Sequence, residues 1–159
     1  MASRKPLVIV DGLVQNLPVG DTLNAAVTEV DTIAATNGEA GAIVIGTPVY
    51  VSAAGTVKKA AANALGTVQV LGLVIDVSVA GSGTANILTD GVLVATTAQW
   101  DAITGGSGGL TAGSVYYLDA TAGLLTSTAL TTAGQYVARI GLAVSTTELD
   151  ITLQAPIGL

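Results

Sequence analysis

The chain carries two versions of one β-rich passage, and that repetition constrains its fold more than any other feature. The first version begins Gly46-Thr47-Pro48-Val49-Tyr50-Val51-Ser52-Ala53-Ala54-Gly55-Thr56-Val57, continues through Val70-Leu71-Gly72-Leu73-Val74 and ends near Ala85-Asn86-Ile87-Leu88. The second begins Gly113-Ser114-Val115-Tyr116-Tyr117-Leu118-Asp119-Ala120-Thr121-Ala122-Gly123-Leu124-Leu125, and continues through Arg139-Ile140-Gly141-Leu142-Ala143 to Leu149-Asp150-Ile151-Thr152. Matching like with like pairs Tyr50 with Tyr116, Gly72 with Gly141 and Ile87 with Ile151. A repeated unit of this kind packs against its copy, and one without a reactive centre points to building material rather than catalysis.

Within the repeats, short β-branched runs are punctuated by Gly-rich turns every 8–12 residues, the pattern of a small barrel or sandwich. Thr47-Pro48 should interrupt a strand over residues 43–51, because proline cannot donate to a ladder. Ala53-Ala54-Gly55 should turn a hairpin. Residues 58–64 read as a brief helix or a polar excursion, and residues 67–79 as one long strand bent near Gly72. Gly81-Ser82-Gly83 is a turn, and strands over 84–88 and 92–95 flank Thr89-Asp90-Gly91. Thr97-Ala98-Gln99-Trp100 reads as a helical turn that docks the only Trp on a β surface. The glycine-rich residues 105–109 read as a flexible loop. The alternation of Glu148-Leu149-Asp150-Ile151-Thr152-Leu153 predicts a half-exposed strand.

Ahead of the repeats, Leu7-Val8-Ile9-Val10 and Leu13-Val14-Gln15 flank Asp11-Gly12, a favoured two-residue hairpin turn. The spacing of Leu23, Val27, Val30 and Ile33 suits a helix, yet their β-branched neighbours favour a strand or irregular arm. The expected fold is therefore all-β: two related small β-barrel or β-sandwich units in tandem, with an N-terminal extended arm. The expected divisions are an arm over 1–38, a first unit with connector over 39–104 and a second unit over 105–159.

The chain has 159 residues, half of them apolar, including 20 Val, 10 Ile and 18 Leu. That supplies a core, so disorder is not expected. Charged residues make up only 10%, far below the roughly 25% of ordinary soluble domains. A surface dominated by Thr, Ala and Gly suits a protein covered by its own copies or by a partner. The net charge is −6, and the bases are only Arg4, Lys5, Lys58, Lys59 and Arg139. Nucleic acid needs clustered cations and stacking aromatics, so it is not an expected partner. No run reaches the roughly 18 apolar residues of a membrane helix, and the 7–10 run is too short for a signal-peptide core. The expectation is synthesis in a cytoplasm, with no membrane partner.

Catalytic chemistry finds few candidates. Histidine and cysteine are absent, which removes the commonest general base, thiol nucleophile and zinc ligands. The eleven acids are scattered singly, as in Asp11-Gly12, Asp90-Gly91 and Asp119-Ala120, where turn chemistry places them. No calcium-loop, dinucleotide or P-loop spacing occurs. The residues therefore predict no enzyme, no metal site and no cofactor. Tyr50, Tyr116 and Trp100 are expected packing anchors, with rings buried and polar tips near the rim.

The units Gly46-Thr47-Pro48-Val49-Tyr50-Val51 with Leu71-Gly72-Leu73-Val74, and Gly113-Ser114-Val115-Tyr116-Tyr117-Leu118 with Gly141-Leu142-Ala143, resemble β modules of tailed-bacteriophage capsid decoration (cement) proteins. The opening Lys5-Pro6-Leu7-Val8-Ile9-Val10-Asp11-Gly12 resembles a stretch found in phage fibre and head-fibre proteins. The resemblance implies a non-enzymatic virion protein, a homotrimer made in the host cytoplasm, that binds the major capsid protein on the capsid exterior. A tail-fibre or appendage module for host attachment is the alternative it leaves open. On this reading capsid attachment falls to the arm over residues 4–17, with Arg4, Lys5, Leu7, Ile9 and Leu13 as the contact residues. An apolar hairpin carrying two cations suits an acidic shell.

Overall fold

The computed structural model describes two N-terminal strands, β1 (Leu7–Val10) and β2 (Leu13–Asn16), together with residues 31–159. β1 and β2 pair antiparallel, with Val10 opposite Leu13, so the hairpin expected across Asp11-Gly12 forms. The other expected features of residues 17–30 lie outside the described residues.

The first unit contains β3 (Thr32–Asn37), β4 (Ile43–Val44), β5 (Pro48–Ala53), β6 (Thr56–Lys59), β7 (Val70–Val74), β8 (Ser78–Val79) and β9 (Thr84–Leu88). Pro48 does interrupt the strand region, leaving β4 to pair with β8 while β5 joins the main sheet. β3, β6, β5, β7 and β9 form a closed barrel. Its closure is a short parallel pairing in which Thr36 and Asn37 sit opposite Thr56 and Val57. Inside it pack Ile43, Val49, Val57, Val74, Val79, Ala85 and Ile87.

The second unit contains β10 (Gly91–Val94), the single helix α1 (Thr97–Thr104), β11 (Val115–Leu118), β12 (Leu125–Thr126), β13 (Tyr136–Val137), β14 (Arg139–Ala143), β15 (Glu148–Ile151) and β16 (Ile157–Gly158). Its main sheet runs β10-β15-β14-β11-β12 and stays open, while β13 pairs with β16. Cut at its closing pair, the barrel reads β3-β9-β7-β5-β6, so the two units share one strand order. The chain is all-β with a duplicated unit, as its sequence predicts.

Pairing registers refine how the copies correspond. Val49 faces Gly72 before an irregularity, after which Tyr50 faces Val70. Tyr116 faces Gly141 before the same irregularity, after which Tyr117 faces Arg139. Val49 therefore corresponds to Tyr116, and Tyr50 to Tyr117, one position from the pairing expected on residue identity. The glycines do correspond. A Cβ on Gly72 would lie 2.2 Å from the Leu88 carbonyl oxygen, and one on Gly141 would lie 2.2 Å from that of Asp150. Leu88 therefore matches Asp150, which makes Leu149, not Ile151, the counterpart of Ile87.

Sheet membership also cuts across the expected divisions at 38/39 and 104/105. β3 belongs to the barrel and β10 to the second sheet. The turn at Thr89-Asp90-Gly91 does not join a hairpin, because β9 pairs with β3 and β7 whereas β10 pairs with β15. The expected long strand over 67–79 is instead β7, a turn and β8. β7 is buried on both faces: Val74 points into the barrel and Leu73 into a second core shared by the units. That double burial explains its unbroken apolar run.

The shared core takes Ile45, Leu73 and Leu88 from the first unit and Trp100, Leu118 and Ile140, among others, from the second. Residues 60–62 are neither helical nor a polar excursion. Ala60, Ala61 and Ala62 are buried at this seam, where their backbone crosses to the second unit. Ala62 N–H donates to the Asp119 carbonyl (2.9 Å), Gly123 N–H to that of Ala60 (2.8 Å) and Tyr136 N–H to that of Ala62 (2.9 Å). Small side chains allow this close backbone approach.

Candidate functional site

Trp100 lies on α1, which Thr96 opens with a capping box whose partner is Gln99. Its indole is fully buried and Nε1 donates to the Thr147 carbonyl at 3.0 Å. The ring also lies beside Gly46, which ties α1 to the first unit. Tyr116 is buried with its hydroxyl accepting from Thr111 N–H at 3.0 Å, and Tyr50 is half-buried against the shared core. All three pack as anchors.

Of the expected attachment residues, Leu7, Ile9 and Leu13 lie on the described N-terminal strands. Arg4 and Lys5 lie outside the described residues. Leu7 and Ile9 on β1 have Asn16 and Val14 as register partners, whereas Leu13 on β2 is the partner of Val10.

Acids serve turns. The Asp119 carboxylate accepts from Thr121 N–H at 2.7 Å, and that of Asp76 accepts from the backbone and side-chain N–H groups of Asn86. Asp101 accepts from Gly108 and Gly109 N–H (3.1 and 2.7 Å), so the glycine-rich loop over 105–109 is tied back to α1 rather than free. Among the described residues no three acids gather as a metal site. Nor is any helix there long and apolar enough to cross a membrane.

The most distinctive concavity is a cleft of about 200 Å³ at the seam, lined by residues 68–70, 138–140 and 153–156. Val70 and Arg139 are equivalent positions of the two units, since each faces the corresponding tyrosine across its ladder. The cleft thus lies where the starts of β7 and β14 meet. Most of its lining residues are aliphatic and Gln69, Gln154 and Arg139 are the polar side chains, but the surface they leave exposed is more polar than apolar. The third stretch is fastened there by Gln154 N–H donating to the Arg139 carbonyl at 3.2 Å, and Thr152 N–H to that of Ile140 at 2.9 Å.

Arg139 is half-buried, yet its Nε is shut off from solvent with no hydrogen-bond partner. Such an unmet buried donor costs about 1–3 kcal/mol, and more when charged. A guanidinium suits one planar anionic group, which it can grip through two parallel N–H bonds. Sequence reasoning overlooked Arg139 as a site residue. The available signal was its solitude: it is the one base after Lys59, and it stands where the other repeat has Val70.

A second concavity, about 250 Å³ and almost wholly apolar, lies between Val44, Ile45 and Val77 of the first unit and Ala98, Gln99 and Ala102 of α1. It contains no ionisable group. In comparisons with known proteins, no family model and no curated protein matches the chain.

Proposed function

We propose that the protein is a non-enzymatic structural component of a tailed-phage virion, binding the major capsid protein on the outside of the shell as a homotrimer. The observation that carries this reading is a pair of exposed aliphatics on the edge strand of the second sheet. Val92 and Val94 project outward from the edge strand β10; Asp150 and Glu148 stand opposite them on β15, and Val144 lies beyond Glu148, its N–H bonded to that residue's carbonyl. Val94 is 59% exposed and Val144 56%. Exposed aliphatics grouped on an edge strand are a hazard for a free monomer and an asset for a protein that lies against a surface. The motif resemblance and the low surface charge support the same reading. Repetition over a shell makes modest individual sites sufficient through avidity.

The test is the stoichiometry of purified particles. A coat protein is expected in a copy number comparable with the major capsid protein and accessible to antibody on intact heads. A few copies confined to the tail would instead establish the fibre alternative. Val94→Lys should keep the fold, with a stability change within about 0.5 kcal/mol, and lose binding to bare heads. Deleting residues 1–17 tests the arm in the same sedimentation assay, where retained binding would show that attachment lies elsewhere.

A further inference from the structure

We infer that the Arg139 cleft is a receptor for one acidic side chain, the carboxylate of a Glu or Asp presented by a protein partner. This goes beyond the coat reading and does not depend on it.

The duplication supplies the first reason. Val70 holds the equivalent place in the first unit, faces the equivalent tyrosine and supports the same irregular pairing. A cation is therefore not required to build this part of the fold, and Arg139 is a departure from what the architecture needs.

The surroundings supply the second. Val68, Val70, Ile140, Leu153 and Pro156 line the cleft with Arg139, and polar atoms make up most of the surface left exposed, which suits a polar ligand. Among the described residues no acid lines the cleft, although acids outnumber bases eleven to five in the chain. Because Nε has no acceptor, turning the guanidinium towards a ligand breaks no hydrogen bond there and gains one. Gln69 and Gln154 also line the cleft, and a side-chain amide is a neutral donor.

Size and charge choose the ligand class. At about 200 Å³ the cleft is smaller than typical small-molecule sites of roughly 300–1,000 Å³. It has room for a side chain reaching in from a second surface. A phosphate dianion calls for more than one positive charge, and neither Lys58 nor Lys59 lines the cleft. A single planar guanidinium matches a single planar carboxylate.

The experiment is an NMR titration of the full-length, isotope-labelled chain with two blocked tripeptides, acetyl-Gly-Glu-Gly-amide and acetyl-Gly-Gln-Gly-amide, and separately with inorganic phosphate. The Glu peptide should give saturable shifts of the Arg139 Nε–H signal and the side-chain amides of Gln69 and Gln154. The Gln peptide should bind at least about tenfold more weakly, the loss expected for a charge-assisted bond. Arg139→Val, which copies the other unit, should abolish the response with the remaining spectrum preserved. If Arg139→Val fails to fold, the paired peptides on the wild-type chain decide alone. Equal response to the two peptides, tighter binding of phosphate, or binding retained by folded Arg139→Val would each overturn the proposal.

Discussion

The two units use the same strand order and part company at one place. In the first, β3 runs on to Asn37 and meets β6, closing the barrel. In the second, β10 stops at Val94 and the chain turns into α1, so β10 and β12 remain unpaired edges with the helix lying against β12. Until then the copies agree closely: Ile33 and Leu93 face Ile87 and Leu149, which are equivalent, and Ala35 and Ala95 follow two residues later with identical 7% exposure. After those alanines, the first copy places Asn37 and the second caps a helix with Thr96. Closing a small sheet and covering it with a helix are thus alternative answers to one problem, the unpaired edge.

The difference is most open to attack at α1. Trp100→Ala removes the largest fully buried side chain and should cost about 3–5 kcal/mol in equilibrium denaturation. Hydrogen exchange should show the extra opening first in β10–β12, with the barrel strands retaining protection longer. A barrel that loses protection equally early would mean that closure gives it no advantage.

Likeness between the units is tested by their paired glycines. Gly72→Ala and Gly141→Ala each drive a Cβ into a neighbouring carbonyl and should each destabilise by about 3 kcal/mol, read as a fall in the denaturation midpoint. Similar losses would sharpen the equivalence, and tolerance of either would break it. The smallest expected effect belongs to the barrel closure. Asn37 is buried and donates through Nδ2 to the Gly41, Val79 and Ala80 carbonyls at 3.0–3.1 Å, while its Oδ1 accepts from Glu39 N–H. Asn37→Ala strands those groups and should cost about 2 kcal/mol, with Asn37→Asp failing to restore it because the carboxylate cannot donate.

What the sequence revealed follows the range of the forces involved. Turn and breaker signals act locally, so the interruption at Pro48, the hairpin about Ala53-Ala54-Gly55 and the helical turn at Trp100 were all legible. The repeat was legible too, but its register was not. Identity aligns Tyr50 with Tyr116, whereas burial aligns the core residue Val49 with Tyr116, and the irregular pairing before Gly72 and Gly141 is invisible without partners. Thr89-Asp90-Gly91 has the composition of a hairpin turn, and only long-range pairing sends its flanks to different sheets. Ala60-Ala61-Ala62 shows no periodicity because its role is to be small. Arg139 was overlooked because one arginine in a strand carries no spacing signal, and its meaning depends on the cleft that tertiary packing assembles around it.

The alanine stretch at the seam has a consequence for how the protein comes apart and how it could diverge. Its three crossing bonds are main-chain to main-chain, so they do not depend on which side chains face one another elsewhere along the seam. The halves are therefore expected to melt in a single cooperative transition rather than as two modules on a string. A tie made of backbone also leaves the residues around it free to drift between the copies, provided the stretch stays small. Under such a tie one copy can keep an aliphatic residue while its twin acquires a charge, and a duplication can gain a difference in recognition without loosening its frame.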